Sequence, residues 1–240
     1  TIHRRLAAPC KATGINMNEI AKPKRTAGKI TRSRNQEANK QGKIEAIEAR
    51  YNRLICLQKA VGIRRAELSR LTGTDLTEDE SGYLCVNVAR GKGGKRQLQC
   101  ILPEDEKSVI EIFRGVNPDQ KLFSSDEMNN KIDLHGIRRE QAQRAYKYYC
   151  NRLKNEPGYK YQCRKELAAR YKEFHEPGAS NKRFLHDIMN EEPYKLRGEN
   201  RQKAIEQGKK TEYNRLALMM VSVFHLSHWR LDVTVTNYLI

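Results

Sequence analysis

Two stretches with alternating side chains, Tyr83-Leu84-Cys85-Val86-Asn87-Val88-Ala89 and Gln97-Leu98-Gln99-Cys100-Ile101-Leu102, flank the basic, glycine-rich segment Arg90-Gly91-Lys92-Gly93-Gly94-Lys95-Arg96. A period of two predicts β-strands, and the glycines between them predict the turn of a β-hairpin. On either side of this hairpin, apolar residues recur at helical spacing. The sequence therefore predicts a mainly α-helical α+β fold with a small antiparallel β-sheet.

Helices are expected both before and after the hairpin. Apolar residues at helical period predict an amphipathic helix over 44–61, and a shorter helix is expected over 65–71. A third begins at Pro103, where a proline and acids occupy the first turn, and runs to about Phe113. A long helix is expected from Leu134 to about Leu153, and an apolar helix over 216–224. Between residues 157 and 212, proline-containing breaks predict short helices joined by turns.

The balance of charge points to a polyanionic partner. Lys and Arg number 46 against 29 Asp and Glu, which gives a net charge of +17 and an isoelectric point near 9.7. Such an excess is typical of proteins that bind nucleic acid. The longest apolar run, 216–226, is too short to cross a bilayer, and the N-terminal residues lack the apolar core of a signal peptide. We expect a cytoplasmic protein without a membrane partner, whose six scattered cysteines are reduced thiols.

The segment from Thr26 to Lys43 contains hardly any apolar residues. Its composition is typical of an exposed connector, and such a connector could lie along a phosphate backbone. A solvated linker with no ligand is an equally good interpretation of this composition. The cations expected to contact DNA in and just before this segment are Lys22, Lys24, Arg25, Lys29, Arg32 and Arg34.

Several side chains at predicted turns and helix starts have the chemistry of phosphoryl transfer without a metal. Arginine guanidinium groups grip phosphate oxygens and neutralise charge in the transition state. A lysine can protonate the leaving oxygen, and a histidine can orient the phosphate or accept a proton. A tyrosine needs such cations nearby to act as a nucleophile, although a tyrosine near the end of an apolar segment is also typical of simple packing. The candidates are Arg64, Lys92, His135, Arg138, His228 and Tyr238.

These residues lie in segments that resemble the catalytic domain of the tyrosine recombinase (phage-type integrase) family. The resemblance covers about residue 40 to the end of the chain. Gly62-Ile63-Arg64-Arg65-Ala66-Glu67-Leu68 resembles the family's first arginine box, Gly91-Lys92-Gly93-Gly94-Lys95 its hairpin lysine, and Leu134-His135-Gly136-Ile137-Arg138 its His-x-x-Arg box. Leu226-Ser227-His228 and Tyr238 resemble its last histidine and its nucleophile. The resemblance implies the integrase catalytic-domain fold over residues 44–240.

The resemblance also implies a role for each residue. Tyr238 would attack the scissile phosphate to form a 3′-phosphotyrosyl intermediate, and Lys92 would be the general acid for the departing 5′-hydroxyl. Arg64 and Arg138 would clamp the phosphate. Two histidines complete the set: His135 would act in proton transfer and positioning, and His228 would hold a phosphate oxygen. Glu67 would support Arg64.

The implied protein is a site-specific DNA recombinase or integrase of a bacterial or phage mobile element. Its partner would be a double-stranded recombination site, on which the family forms homotetramers, while the free chain would be a monomer or weak oligomer. No cofactor and no metal are implied. Residues 1–43 would comprise the end of an upstream core-binding domain and the basic linker, and Lys95 and Arg96 at the hairpin would add DNA contacts.

The chain departs from the family pattern at several points. Ser227 stands where the family usually has glycine before the histidine, and Gly136-Ile137 replaces a commoner Asp-Leu pair. Arg138 and His228 lie 90 positions apart, so that the region of about 150–212 is expected to be a helical insertion. Only two residues follow Tyr238, which puts in doubt the family's docking of a C-terminal segment on a neighbouring protomer. The insertion could contact DNA or be a solvated elaboration.

Alternatives exist for several residues and for the function. Arg65 could replace Arg64 as the clamp and Lys95 could replace Lys92, although the family register favours Arg64 and Lys92. His225 is expected to be a core histidine because it lies in an apolar run. The spacing of Cys150, Cys163, His175 and His186 is wider than that of zinc-finger ligand pairs. The alternatives in function are a resolvase, a type IB topoisomerase-like relaxing enzyme, and a non-catalytic basic DNA-binding module.

Overall fold

A computed structural model describes residues 2–16, 19–20, 41–91, 94–130, 132–175, 182–227 and 229–239. The chain divides into two compact units, Thr1–Arg34 and Asn35–Ile240. In the first, the described structure centres on helix α1, Ile2–Thr13, in which Cys10 is buried. The second contains every other helix and strand named below. Among the described helices, none is both long and apolar enough to cross a membrane.

The second unit is mainly helical with a small antiparallel sheet, as the sequence predicted. Its first half contains α2 (Gln41–Arg50), α3 (Asn52–Val61), α4 (Arg65–Leu68), β1 (Leu76–Glu78), β2 (Leu84–Val88), β3 (Gln97–Cys100), α5 (Pro103–Phe113) and α6 (Ser125–Met128). Its second half contains α7 (Leu134–Asn155), α8 (Tyr159–Phe174), α9 (Lys182–Met189), β4 (Tyr194–Lys195), α10 (Gly198–Glu206), β5 (Glu212–Tyr213), α11 (Arg215–Met220) and α12 (Leu231–Thr234). A π-helical segment continues α11 over Val221–His225, and another continues α12 over Val235–Leu239.

The predicted hairpin is confirmed: β2 and β3 pair antiparallel, with Cys85 opposite Cys100. The sheet also has a third strand, because β1 pairs with β2 with Leu76 opposite Val86. This strand was not predicted, since three residues are too few to establish a period of two. The helix expected over 65–71 ends at Leu68, and a short 3-10 turn, Gly73–Asp75, leads into β1.

The sheet is buried on both faces. Val86 and Val88 belong to one apolar cluster, with Leu54 and Leu57 of α3 and Val109 of α5. Alternate residues of the same strands face a second cluster, which contains Cys85, Leu98 and Cys100 together with residues of α7, α8 and α11. The two strands of the hairpin are thus held between two sets of helices.

Helix α7 begins and ends close to its predicted bounds. Its N-cap is Asp133, whose carboxylate accepts a hydrogen bond from the backbone N–H of Gly136 at 3.0 Å. A Cβ atom on residue 136 would lie 2.7 Å from that carboxylate, which gives a local reason for the glycine. Ala142, Ala145 and Tyr149 face the core from the middle of the helix. The first turn of α7 is thereby capped and fixed where His135 and Arg138 project.

The prediction for residues 157–212 is partly wrong. Helix α8 has 16 residues, and its buried residues Tyr159, Cys163 and Leu167 belong to the same cluster as the hairpin and α7. It is therefore a core helix, and only the later part of the segment consists of short elements. These include a two-stranded sheet in which Tyr194 of β4 pairs with Tyr213 of β5. Strands of two residues leave no periodic signal in a sequence.

Candidate active site

Arg138 is the centre of the candidate site. The side chain is 1% exposed and projects from the first turns of α7. Its Nη1 donates to the carbonyl of Gly62 at 2.5 Å, and its Nη2 donates to the carbonyl of Leu226 at 3.1 Å. Its Nε donates to the hydroxyl of Tyr238 at 3.2 Å. One guanidinium group therefore joins the end of α3, the turn after α11 and the C-terminal π-helical segment.

The backbone conformation and the surroundings of residue 62 favour glycine. Gly62 caps α3 in the left-handed conformation, with φ of 57°, and its N–H donates to the carbonyl of Gln58. A Cβ atom here would lie 3.0 Å from Oε1 of Gln141 and 3.4 Å from Cγ of Arg138. Both the backbone conformation and the close approach of α7 therefore require glycine at this position.

Tyr238 is 4% exposed and is held through both its side chain and its backbone. The guanidinium carbon of Arg138 lies 5.5 Å from the centre of the tyrosine ring, and the ring of His135 lies 5.8 Å away. The carbonyl of Tyr238 accepts a hydrogen bond from Nε2 of Gln143 at 3.0 Å. The structure thus brings together three of the residues selected from the sequence, and it adds Gln143, which the sequence did not indicate.

Arg64 and Glu67 form the edge of this site. Arg64 is the N-cap of α4, and its Nη1 lies 2.7 Å from Oε1 of Glu67, a residue that is 2% exposed. The backbone N–H of Arg64 donates to the other carboxylate oxygen at 3.0 Å. Arg65, the alternative clamp, instead donates to the carbonyls of Met128 and Ile132 at 2.9 and 2.7 Å. The Arg65 side chain therefore holds the backbone at residues 128 and 132, whereas the Arg64 side chain lies against Glu67.

The electrostatics of the site favour an added negative charge. Burial lowers the pKa of Arg138, Tyr238 raises it, the charge of Arg64 lowers it, and the Glu67 carboxylate raises it. Arg64 and Arg138 are two cations and Glu67 is one anion, so an added anion near the arginines would stabilise both charges. A phosphate offers oxygens that an arginine can bind in a bidentate manner.

Other residues selected from the sequence fall outside the described residues. They are Lys92 and His228 of the candidate catalytic set and Lys22, Lys24, Arg25, Lys29, Arg32 and Arg34 of the linker. At the hairpin, Lys95 is exposed. Arg96 donates to the side chain of Asn87 at 3.0 Å and forms an ion pair with Glu173 at 3.1 Å. Arg96 therefore contacts α8, a link that only the folded chain reveals.

His225 is a core histidine, as expected from the sequence. It is fully buried, and Nε2 of Gln141 lies 3.0 Å from its Nδ1. Its Nε2 lies 2.9 Å from the hydroxyl of Tyr149. Burial, followed by the charges of Arg144 and Arg170, lowers the pKa of His225 to about 3. The ring is neutral near pH 7 and serves the packing of α7 against α11.

Within the described part of the chain, one group of side chains offers three potential metal ligands close together: Asp79, Cys85 and Cys100, whose donor atoms lie within 4.8 Å of one another. None of these residues was selected from the sequence. The guanidinium of Arg170 forms an ion pair with the Asp79 carboxylate and lies 3.5 Å from the sulfur of Cys100. A guanidinium already fills the place that a metal cation would occupy, so this group is best described as a buried ion pair beside two thiols.

The backbone acceptors of the site could not have been found from the sequence. The carbonyls of Gly62 and Leu226 are separated from Arg138 by 76 and 88 positions. Every residue carries a carbonyl, so that no residue type marks these two.

No family model, no curated protein and no solved structure matches this chain.

Proposed function

We propose that this chain is a DNA strand-transfer enzyme of the tyrosine recombinase type, with the integrase catalytic-domain fold. The single observation that carries the proposal is the hydrogen bond from the Arg138 guanidinium to the Tyr238 hydroxyl, in a site where the charge of Arg64 also acts on Arg138. A structural tyrosine needs one hydrogen-bond partner, and a carbonyl would satisfy it. A guanidinium at the tyrosine hydroxyl, with the charge of a second arginine acting on that guanidinium, is better explained by a phosphate that the tyrosine attacks.

The chemistry of the proposed reaction is a transesterification. The hydroxyl of Tyr238 gives up its proton, for which His135 is the proposed acceptor, and its oxygen forms a bond to the scissile phosphorus. The bond from phosphorus to the 5′-oxygen breaks, and the departing 5′-oxygen takes up one proton. Arg64 and Arg138 stabilise the charge on the non-bridging oxygens, and Glu67 holds Arg64 in place. Lys92 is the proposed proton donor. The phosphotyrosyl ester preserves the bond energy, and the reverse reaction with a new 5′-hydroxyl completes strand exchange.

Burial imposes a condition on this proposal. Arg138 is 1% exposed and Tyr238 is 4% exposed, so that a DNA phosphate cannot reach either side chain in the present arrangement. The C-terminal segment, α12 and Val235–Leu239, must move to admit it. The hydrogen bond from Arg138 to the Tyr238 hydroxyl would then be exchanged for bonds to phosphate oxygens, which are stronger because the acceptor is charged.

The test is to incubate the protein with a nicked suicide substrate in the presence of a chelator and to look for a covalent protein–DNA adduct under denaturing conditions. Wild-type protein should form the adduct, and Tyr238→Phe should form none while its affinity for DNA is unchanged, because only one hydroxyl is lost. Tyr161→Phe is the matched control, since Tyr161 is 73% exposed on α8. An adduct with Tyr238→Phe would refute the nucleophile. Binding without any wild-type adduct would favour the DNA-binding module instead.

A further inference from the structure

The turn between the two C-terminal helical segments has an unusual backbone. Ser227 and Trp229 both have positive φ, at 49° and 57°, and within the described residues they are the non-glycine residues with this conformation. The left-handed region is unfavourable for residues with a Cβ atom. Two such residues in one turn therefore need compensation from the surrounding structure.

Both ends of this turn are tied to the candidate site or its supports. The carbonyl of Leu226 accepts from Nη2 of Arg138 at 3.1 Å. The backbone N–H of Arg230 donates to the hydroxyl of Ser222 at 3.1 Å, and Ser222 lies in the π-helical segment that follows α11. A change in the turn would therefore move one of the acceptors that orient Arg138.

Trp229 packs in a group of aromatic rings, formed with Tyr171, His175 and Phe184, which we call the Trp229 cluster. The indole of Trp229 lies 4.8 Å from the ring of His175 and 5.3 Å from that of Phe184, measured between ring centres. Tyr171 stacks on His175 at 4.1 Å and on Phe184 at 4.9 Å. Aromatic rings at these separations attract one another in addition to the area that they bury. The partners of Trp229 come from α8 and α9.

We propose that the Trp229 cluster is a brace that holds the turn at Ser227 and Trp229 in its left-handed conformation, and that Trp229 is thereby a positioning residue for Arg138 and Tyr238. The link to Tyr238 chemistry rests on the function proposed above. Glycine would adopt this conformation without cost. Ser227 carries a Cβ atom, and the rings contributed by α8 and α9 supply the compensation that the serine makes necessary.

The central experiment combines Trp229→Ala with Ser227→Gly. Removal of the indole should slow adduct formation by about tenfold to a hundredfold, since a small displacement of a positioned group has effects of that size. Adding Ser227→Gly should restore about fivefold or more, because glycine makes the left-handed turn accessible without the brace. Tyr161→Ala removes an exposed aromatic ring from α8, a helix that contributes to the Trp229 cluster, and should change the rate little. Failure of Ser227→Gly to restore any activity would overturn the brace.

Stability supplies a readout that does not depend on catalysis. Ser227→Gly should raise the Tm of the wild-type protein by about 2–4 °C, and it should raise the Tm of Trp229→Ala by clearly less, because there the turn has already relaxed. Equal gains in both backgrounds would contradict the proposal. This cycle can succeed even if the wild-type protein forms no adduct, in which case only the proposed function fails.

Trp229 also reports on its own surroundings, since it is the single tryptophan of the chain. Phe184→Leu, a milder change than loss of the indole, should shift the tryptophan emission to the red and make it more accessible to a soluble quencher. It should also slow adduct formation, and Ser227→Gly should restore part of the loss. If Phe184→Leu exposes the indole while the rate and the response to Ser227→Gly match those of the wild type, the brace does not position the site.

Discussion

Two buried arginines of this protein, Arg138 and Arg170, have opposite electrostatic surroundings. Arg170 is 5% exposed, forms an ion pair with Asp79, and its pKa is raised: burial opposes the charge, and the neighbouring Cys100, Cys85 and Asp79 outweigh burial. Arg138 is 1% exposed, and the hydrogen bonds to Gly62, Leu226 and Tyr238 go to uncharged oxygens. Burial and the charge of Arg64 lower the pKa of Arg138 by more than Tyr238 and the Glu67 carboxylate raise it.

The difference separates a structural arginine from one suited to a ligand. A buried charge that is paired with a carboxylate completes the core, and an incoming anion would have to compete with that carboxylate. A buried guanidinium whose pKa is lowered is stabilised when an anion binds beside it. By this criterion Arg170 supports the fold, and Arg138 fits the phosphate-binding role that we propose for it.

The largest effect on stability is expected from Arg170→Ala. The change leaves the Asp79 carboxylate, whose side chain is 4% exposed, without its cation, and this should lower the free energy of unfolding by about 3–5 kcal/mol. Chemical denaturation measures the loss. The double variant Asp79→Ala, Arg170→Ala should be more stable than Arg170→Ala alone, because neither buried charge remains. A loss below about 1 kcal/mol would contradict the structural role that we assign to Arg170.

Arg138→Ala should act on catalysis instead. We expect adduct formation to slow by about a hundredfold or more, the usual effect of losing one preorganised charge stabiliser. The rate for Arg170→Ala, measured below its unfolding temperature and corrected for the folded fraction, should change by less than about tenfold. Equal rate losses in the two variants would show that the contrast between the arginines has no functional meaning.

A smaller effect concerns His225, whose pKa is lowered to about 3 by burial, then by Arg144 and Arg170. The unfolded chain binds a proton at this histidine near pH 6.5, and the folded chain does not. Above pH 6.5 neither state is protonated at His225, and stability is not affected. As the pH falls from 6.5 toward 3, the unfolded chain alone takes up the proton, which lowers the free energy of unfolding by up to about 1.4 kcal/mol per pH unit. Denaturation from pH 6.5 to pH 5 should show this slope, and His225→Gln, which does not titrate, should reduce it. An unchanged slope would argue against a neutral buried His225.

The smallest effect is expected from Gly62→Ala. The left-handed φ of 57° and the 3.0 Å approach to Oε1 of Gln141 should together cost about 1–2 kcal/mol of stability. Because the carbonyl of Gly62 accepts from Arg138, the rate of adduct formation should fall as well. Gly82→Ala is a matched control: Gly82 also has positive φ, at 80°, but a Cβ atom there would meet no other part of the described chain within 4 Å. The control should lose similar backbone stability and keep its rate.

Much of the fold could be predicted because local patterns determine it. The period of two in β2 and β3, the helical period of α3 and α7, and the first-turn proline and acids of α5 all act within a few residues. The core role of α8 could not be predicted in this way. Its buried residues Tyr159, Cys163 and Leu167 are diluted by charged neighbours, and burial of α8 depends on contacts with α7 and α11.

The sequence by itself determined the mainly helical α+β fold class and the identity of His225 as a core residue. The phosphoryl-transfer roles that it suggested stay a prediction. Only the tertiary structure decided that Arg138 and Tyr238, 100 positions apart, share a hydrogen bond, and that Arg170 belongs to Asp79. The physical reason lies in the range of the interactions. Backbone conformation responds to near neighbours in the chain, whereas the charge of a buried side chain responds to whatever the folded chain brings within a few ångströms of it.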